Sequence, residues 1–207
     1  KEGSVTVAAR IATLINRRNA NGQKTILSLA SGRTMRDLYA ELVRLHKEEG
    51  LSFKNVVIFG SYEFYPLSDT TSGSMAQIQS QLLDHIDILP ENVHTFPGDL
   101  PKENVFAFCE EYEKAIAEAG GIDVQVLGIG QCGNIAMNEP GTQSNSSTRL
   151  VIMDGNSRVD VKSLFGNVAQ VPTCAITLGI ETILQAKEVI LLAFGQHKAG
   201  IIKQAIE

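Results

Sequence analysis

Three runs in this chain, Val56-Val-Ile-Phe59, Ile122-Asp-Val-Gln-Val-Leu127 and Val189-Ile-Leu-Leu-Ala-Phe194, are mostly apolar and show little of the in–out alternation of a half-exposed strand. Runs of this kind suit strands covered on both faces. Thr25-Ile-Leu-Ser-Leu29 reads as a further short strand. Between them lie segments with helical spacing: Val7, Ile11, Leu14 and Ile15; Leu38, Leu42 and Leu45; Met75, Ile78 and Leu82; and Val105, Phe108/Cys109, Tyr112 and Ile116. A helix over Lys198 to Ile206 closes the chain. Alternation of strand and helix through short links specifies an α/β protein with a parallel sheet and helices on both faces. Ligands in that architecture bind beyond the carboxyl ends of the strands, so chemistry is sought in the segments that follow each strand.

The chain's 207 residues suit one domain or two small ones. No apolar run approaches the ~20 residues of a membrane span, and no Arg-rich presequence or hydrophobic signal region opens the chain. A net charge of −5 argues against nucleic acid or an anionic membrane as partner. Cys109, Cys132 and Cys174 are odd in number and widely spaced, which predicts reduced thiols and a cytoplasmic setting. His46, His85, His94 and His197 form no metal-ligand pattern. Neither a metal nor another cofactor is expected.

Two post-strand loops stand out. Ala30-Ser-Gly-Arg-Thr-Met35 leads into the Leu38/Leu42/Leu45 helix, and Thr34 with Asp37 fits a capping box. Free amides at such a helix start, next to Gly32 and with Arg33 beside them, form a phosphate cradle; the alternative is an ordinary capped turn. Gly128-Ile-Gly-Gln-Cys-Gly133 matches G-x-G-x-x-G after a strand. A dinucleotide site needs a helix after the third glycine, and Pro140-Gly141 leaves room for barely two turns, so that reading is rejected. From Gly133 to Gln170 the chain is polar and largely aperiodic, with one strand-like piece, Thr148 to Met153.

Residues 121–141, Gly-Ile-Asp-Val-Gln-Val-Leu-Gly-Ile-Gly through Ile-Ala-Met-Asn-Glu-Pro-Gly, closely resemble the glucosamine-6-phosphate deaminase signature GIDLFLGGIGxDGHIAFNEPG. Leu-Ala-Ser-Gly-Arg-Thr is similar to that family's phosphate loop LPTGST, and Gly195-Gln-His-Lys198 to its late G-x-x-K. The segments around Leu51–Phe59, His85–Ile88 and Val171–Ile180 also match, so the resemblance runs nearly end to end. The related 6-phosphogluconolactonases match these motifs less well. The resemblance implies a Rossmann-like, doubly wound fold and a small-molecule sugar phosphate as partner. It further implies release of ammonia from an amino sugar, with proton transfer from C2 to C1. It places the phosphate against Ser31, Gly32 and Thr34, the guanidinium of Arg158 and the ammonium of Lys198, with Gly128 and Gly130 in the substrate loop. Arg33 stands where the family usually has Ser. A dianionic phosphate suits amides joined by an Arg fork and a Lys point charge.

The family's proton carriers are replaced. Its C2 base, an Asp in Asn-x-Asp-Glu-Tyr, aligns with Tyr62, and the Asp and His of its Asp-Gly-His align with Cys132 and Asn134. Glu139 alone remains in register. A phenol is a poor base at neutral pH, and an amide side chain carries no proton in either direction. Glu63 neighbours the lost Asp, but on a strand it points to the other face. Cys132 could act as a thiolate only beside a positive charge, and otherwise fills vacated space. Two readings follow: an enzyme with a rearranged site around Glu139, Glu63 or Tyr62, or a catalytically silent sugar-phosphate-binding domain. A lactonase-like hydrolase would need a His where Asn134 stands. Residues 1–207 are expected to form one such domain, short of the family's full C-terminal extent; a homo-oligomer and an appended second domain are left open.

Overall fold

The computed structural model describes residues 2–207. In chain order the main elements are α1 (Glu2–Ala20), β1 (Thr25–Leu29), α2 (Arg36–Glu49), β2 (Val56–Gly60), β3 (Tyr62–Tyr65), α3 (Ser74–Gln81), β4 (Val93–His94), α4 (Val105–Glu118) and β5 (Val124–Gly128). They continue with β6 (Arg149–Ile152), α5 (Gly155–Val161), β7 (Cys174–Thr177), α6 (Ile180–Leu184), β8 (Glu188–Leu192) and α7 (Ala199–Ile206). Five strands form a wholly parallel sheet in the order β4-β2-β1-β5-β8. Every residue of β1 and β2 is buried, because helices cover both faces. On one face Leu27, Leu29, Ile58 and Val126 pack with Ile11 and Ile15 of α1 and Leu38 and Leu42 of α2. On the other, Ile26, Val57, Phe59 and Leu127 pack with Cys109, Tyr112 and Ile116 of α4. The expected doubly wound α/β architecture is therefore present. No helix among the described residues is long and apolar enough to cross a membrane.

Several polar groups inside the sheet are paired. Asp123, at the amino end of β5, accepts hydrogen bonds from Arg18 Nη2 at 2.6 Å, Lys187 Nζ at 2.7 Å and the Ile26 amide at 2.8 Å. Gln125 Nε2 donates to Ser61 Oγ at 3.0 Å, and Ser61 Oγ meets Ser28 Oγ at 3.2 Å. An unpaired polar group there would cost about 1–3 kcal/mol.

A second sheet, antiparallel in the order β3-β7-β6, is foreshadowed in the sequence only by the strand-like piece Thr148 to Met153, which forms β6. Only Ser61 separates β2 from β3. Its amide donates to Leu29 O in the first sheet, while its carbonyl accepts from Leu178 N beyond β7. One residue thus divides its two backbone hydrogen bonds between two sheets. The polar stretch 133–170 is less irregular than its composition suggests, since it holds β6 and α5. The expected capping box at Thr34 does not form. Arg33–Met35 is a 3₁₀ turn, α2 starts at Arg36, and the position before it is taken by Met35, which supplies no side-chain cap.

Candidate functional site

Loops leaving β1, β5 and β8, with Tyr62 on β3 and residues of α5, enclose a cleft of about 600 Å³ at the carboxyl end of the parallel sheet. The first wall is the segment from Ala30 to Asp37. Gly32 has φ 115° and ψ 170°, a conformation that strongly favours glycine, and it turns the chain into the 3₁₀ turn. The first hydrogen bond of that turn runs from Met35 N to Gly32 O, so the turn itself makes no use of the amides just ahead. Beneath it, the buried Tyr39 phenol donates to the Ala30 carbonyl, and burial raises its pKa far above the usual phenolic value.

The second wall is the loop after β5. Gly130 N donates to Asn134 O at 2.9 Å, Gly133 N to Gly130 O at 3.2 Å, and Gln131 N to Asp160 Oδ2 of α5 at 3.0 Å. A Cβ on Gly130 would lie 1.8 Å from Asn134 Oδ1, so a side chain there would have to displace the Asn134 carboxamide. Asn134 Nδ2 donates to the carbonyl of Ala136, which holds a left-handed φ of 51°. The third wall follows β8, where Gly195 leads a 3₁₀ turn, Gln196–Lys198, into α7. Lys198 Nζ donates to Ile129 O at 2.7 Å and so ties the third loop to the second.

Of the residues singled out from the sequence, Ser31, Gly32, Arg33, Thr34, Tyr62, Gly128, Gly130, Asn134 and Lys198 line this cleft together. Four do not. Glu63 lies on the opposite face of β3 because the strand continues to Tyr65 and the pleat applies. Its buried carboxylate accepts from the amides of Phe64 (2.9 Å), Ser74 (2.7 Å) and Met75 (2.9 Å), capping the start of α3. Burial raises its pKa against the downward pull of those three amides. Glu139 and Cys132 line a separate hollow of about 520 Å³ with Asp154. There Glu139 Oε1 accepts from the Asp154 amide at 3.3 Å. The Cys132 pKa is raised, first by burial and then by the charges of Asp160, Asp154 and Glu139, with Lys198 opposing. That environment disfavours the thiolate, which Cys132 would need to act as a nucleophile. Arg158 turns one guanidinium nitrogen to the carbonyls of Val168 (3.0 Å) and Val171 (2.9 Å) and does not line the cleft.

Tyr62 reaches Ser31 Oγ with its phenol oxygen at 2.8 Å, and burial raises its pKa above the ordinary phenolic range. It is therefore a protonated hydrogen-bonding group at neutral pH. Sequence reasoning passed over Arg36, Ser157 and His197, all of which line the cleft. Their available signals were spacing from Arg33, adjacency to Arg158, and the second variable position of G-x-x-K. No group of three or more His, Cys, Asp or Glu among the described residues could hold a metal ion.

The family described as glucosamine-6-phosphate isomerases/6-phosphogluconolactonase matches residues 2–207. A glucosamine-6-phosphate deaminase-like protein of Bacteroides thetaiotaomicron is 44% identical over 208 residues, covering 100% of this chain, which spans 31% of that protein's length. The glucosamine-6-phosphate deaminase of Bacillus pumilus is 41% identical over 197 residues, 93% of this chain and 79% of that enzyme. The solved structure of a monomeric glucosamine-6-phosphate deaminase superposes with a TM-score of 0.92 at 32% identity, covering 98% of this chain and 82% of that one. The 6-phosphogluconolactonase of Thermotoga maritima shares the fold, with a TM-score of 0.74 at 23% identity over 98% of this chain and 85% of that one. This chain belongs to the glucosamine-6-phosphate isomerase/6-phosphogluconolactonase family.

Proposed function

We propose that residues 2–207 act as one unit that binds an amino-sugar 6-phosphate in the cleft without the family's rapid deamination. The phosphate would meet the amides of Ser31, Gly32 and Thr34, the hydroxyls of Ser31 and Thr34, and the ammonium of Lys198. This set supplies backbone donors and point charge for a dianion. The observation that carries the reading is the separation of two sets of groups. The candidate anion-binding groups, Arg158 excepted, line the cleft together. Of the candidate proton carriers, Glu63 caps α3, Glu139 and Cys132 face another hollow, and Tyr62 is a phenol with a raised pKa. A base that removes a proton next to a carbonyl must lie within hydrogen-bond reach of it, and losing such a base costs about 10²–10⁴ in rate. The free thiols Cys109, Cys132 and Cys174 fit a reducing, cytoplasmic setting.

Titration calorimetry with glucosamine 6-phosphate tests the reading. Saturable binding that weakens about tenfold or more in Lys198→Met supports it. Absence of binding, or equal affinity in the variant, overturns it. A second reading, turnover through a rearranged site, is favoured by His197, because imidazole is the side chain most often used for proton transfer and this one lines the cleft. Ammonia release abolished by His197→Asn would establish that reading instead.

A further inference from the structure

We infer that the cleft's ligand carries a second anionic group, a carboxylate or another phosphate, held by Arg33 and Arg36; this rests on the sugar-phosphate reading above. Arg33 opens the Arg33–Met35 turn and Arg36 is the first residue of α2, three positions on, and both exposed side chains line the cleft.

Arg33 and Arg36 have no side-chain hydrogen bond or ion pair among the described residues; Arg17 is likewise unpaired, but it does not line the cleft. Two unpaired guanidiniums lining one cleft favour an anion between them, and their planar forks suit carboxylate or phosphate oxygens. Of the carboxylates lining the cleft, Asp160 on the opposite wall already accepts the Gln131 amide, and Asp37 follows Arg36 directly.

A second observation points to a ligand. Ser157 on α5 lines the cleft, is 3% exposed, and its hydroxyl has no hydrogen-bond partner. A buried hydroxyl left unpaired is costly, and a ligand oxygen would satisfy it. A sugar with a single anionic group, such as glucosamine carrying only its 6-phosphate, would use the Gly32 turn and Lys198 and leave the arginine pair idle. The Ser-to-Arg departure at position 33 from the usual family loop is then a change of ligand class.

The test is calorimetric titration of the intact chain with three probes: glucosamine 6-phosphate, 6-phosphogluconate (carboxylate at C1) and glucose 1,6-bisphosphate (phosphate at C1). The expected result is affinity about tenfold higher for at least one of the two doubly anionic probes, and which of them gains shows whether a carboxylate or a phosphate is preferred. One partly exposed charge-assisted contact supports a factor of that size. In Arg33→Ser and in Arg36→Gln the ratio of affinities should fall toward one. An unchanged ratio in both variants, or no preference in the unaltered protein, overturns the inference. If glucosamine 6-phosphate binds, and is lost in Lys198→Met, without any such preference, this inference alone fails. If no probe binds, the sugar-phosphate reading fails with it.

Discussion

Glu63 separates a structural from a catalytic account most sharply, because it neighbours Tyr62, the position to which the sequence resemblance assigns the base. Its Oε1 accepts from Phe64 N and Ser74 N, and its Oε2 from Met75 N, all within 2.7–2.9 Å of a side chain only 4% exposed. In Glu63→Gln one oxygen can still take two amides, but the new NH₂ group faces the Met75 amide, donor against donor. One bond is lost and one buried amide is left unpaired, so the loss should be about 2 kcal/mol. Glu63→Ala strands all three amides and opens a cavity, at about 3–5 kcal/mol. For a chain of this length each kcal/mol lowers Tm by about 2–4 °C, which gives about 4–8 °C for the Gln variant. The pH dependence carries a sign. The folded carboxyl holds its proton to higher pH than the unfolded one, because burial raises its pKa. Its contribution to stability is therefore complete at low pH and is lost as pH rises through the raised value. The Gln variant should lack that decline. Thermal and urea unfolding at several pH values, with calorimetric ligand titration, checks both statements. A Glu63→Gln protein that keeps the parent Tm but loses ligand affinity or turnover would refute the reasoning.

Other perturbations follow from the same geometry. Asp123→Ala removes the partner of Arg18 and Lys187 and leaves the Ile26 amide unpaired. Because both cations reach solvent, the expected loss is about 3 kcal/mol, read by urea unfolding. Gly130→Ala drives a methyl into Asn134 Oδ1 and should cost about 1–3 kcal/mol while disturbing ligand affinity, since the Asn134 carboxamide must turn away and give up its bond to Ala136 O. Cys132 should react slowly with an alkylating reagent at pH 7 and faster as pH rises past its raised pKa; rapid modification at neutral pH would contradict the environment described here.

The parallel sheet was legible because its strands are covered twice. Val56 to Phe59 has no polar position to mark an exposed face, and none exists. Of the antiparallel sheet only β6 was legible, as the strand-like piece Thr148 to Met153. β7 has four residues, and the switch from β2 to β3 takes the single residue Ser61 with no intervening turn to mark it. Within the site, the Gly32 turn could be read locally, since it depends on one glycine and the helix that follows. The directions taken by Arg158 and Glu139 could not. Arg158 is set by carbonyls at Val168 and Val171, and Glu139 is bonded to the Asp154 amide, contacts that no periodicity encodes. The 3₁₀ turn that displaced the expected cap also brought Arg36 to the cleft, so one misjudged helix start hid a functional candidate.

Proton NMR of glucosamine 6-phosphate with the protein in heavy water addresses the central claim most directly, because it reports binding and C2 chemistry in one sample. The account predicts sugar lines that broaden with added protein, a C2 proton signal that persists, and no fructose 6-phosphate. Loss of the C2 signal with ammonia release would contradict it, by showing that a residue in this cleft still moves the proton.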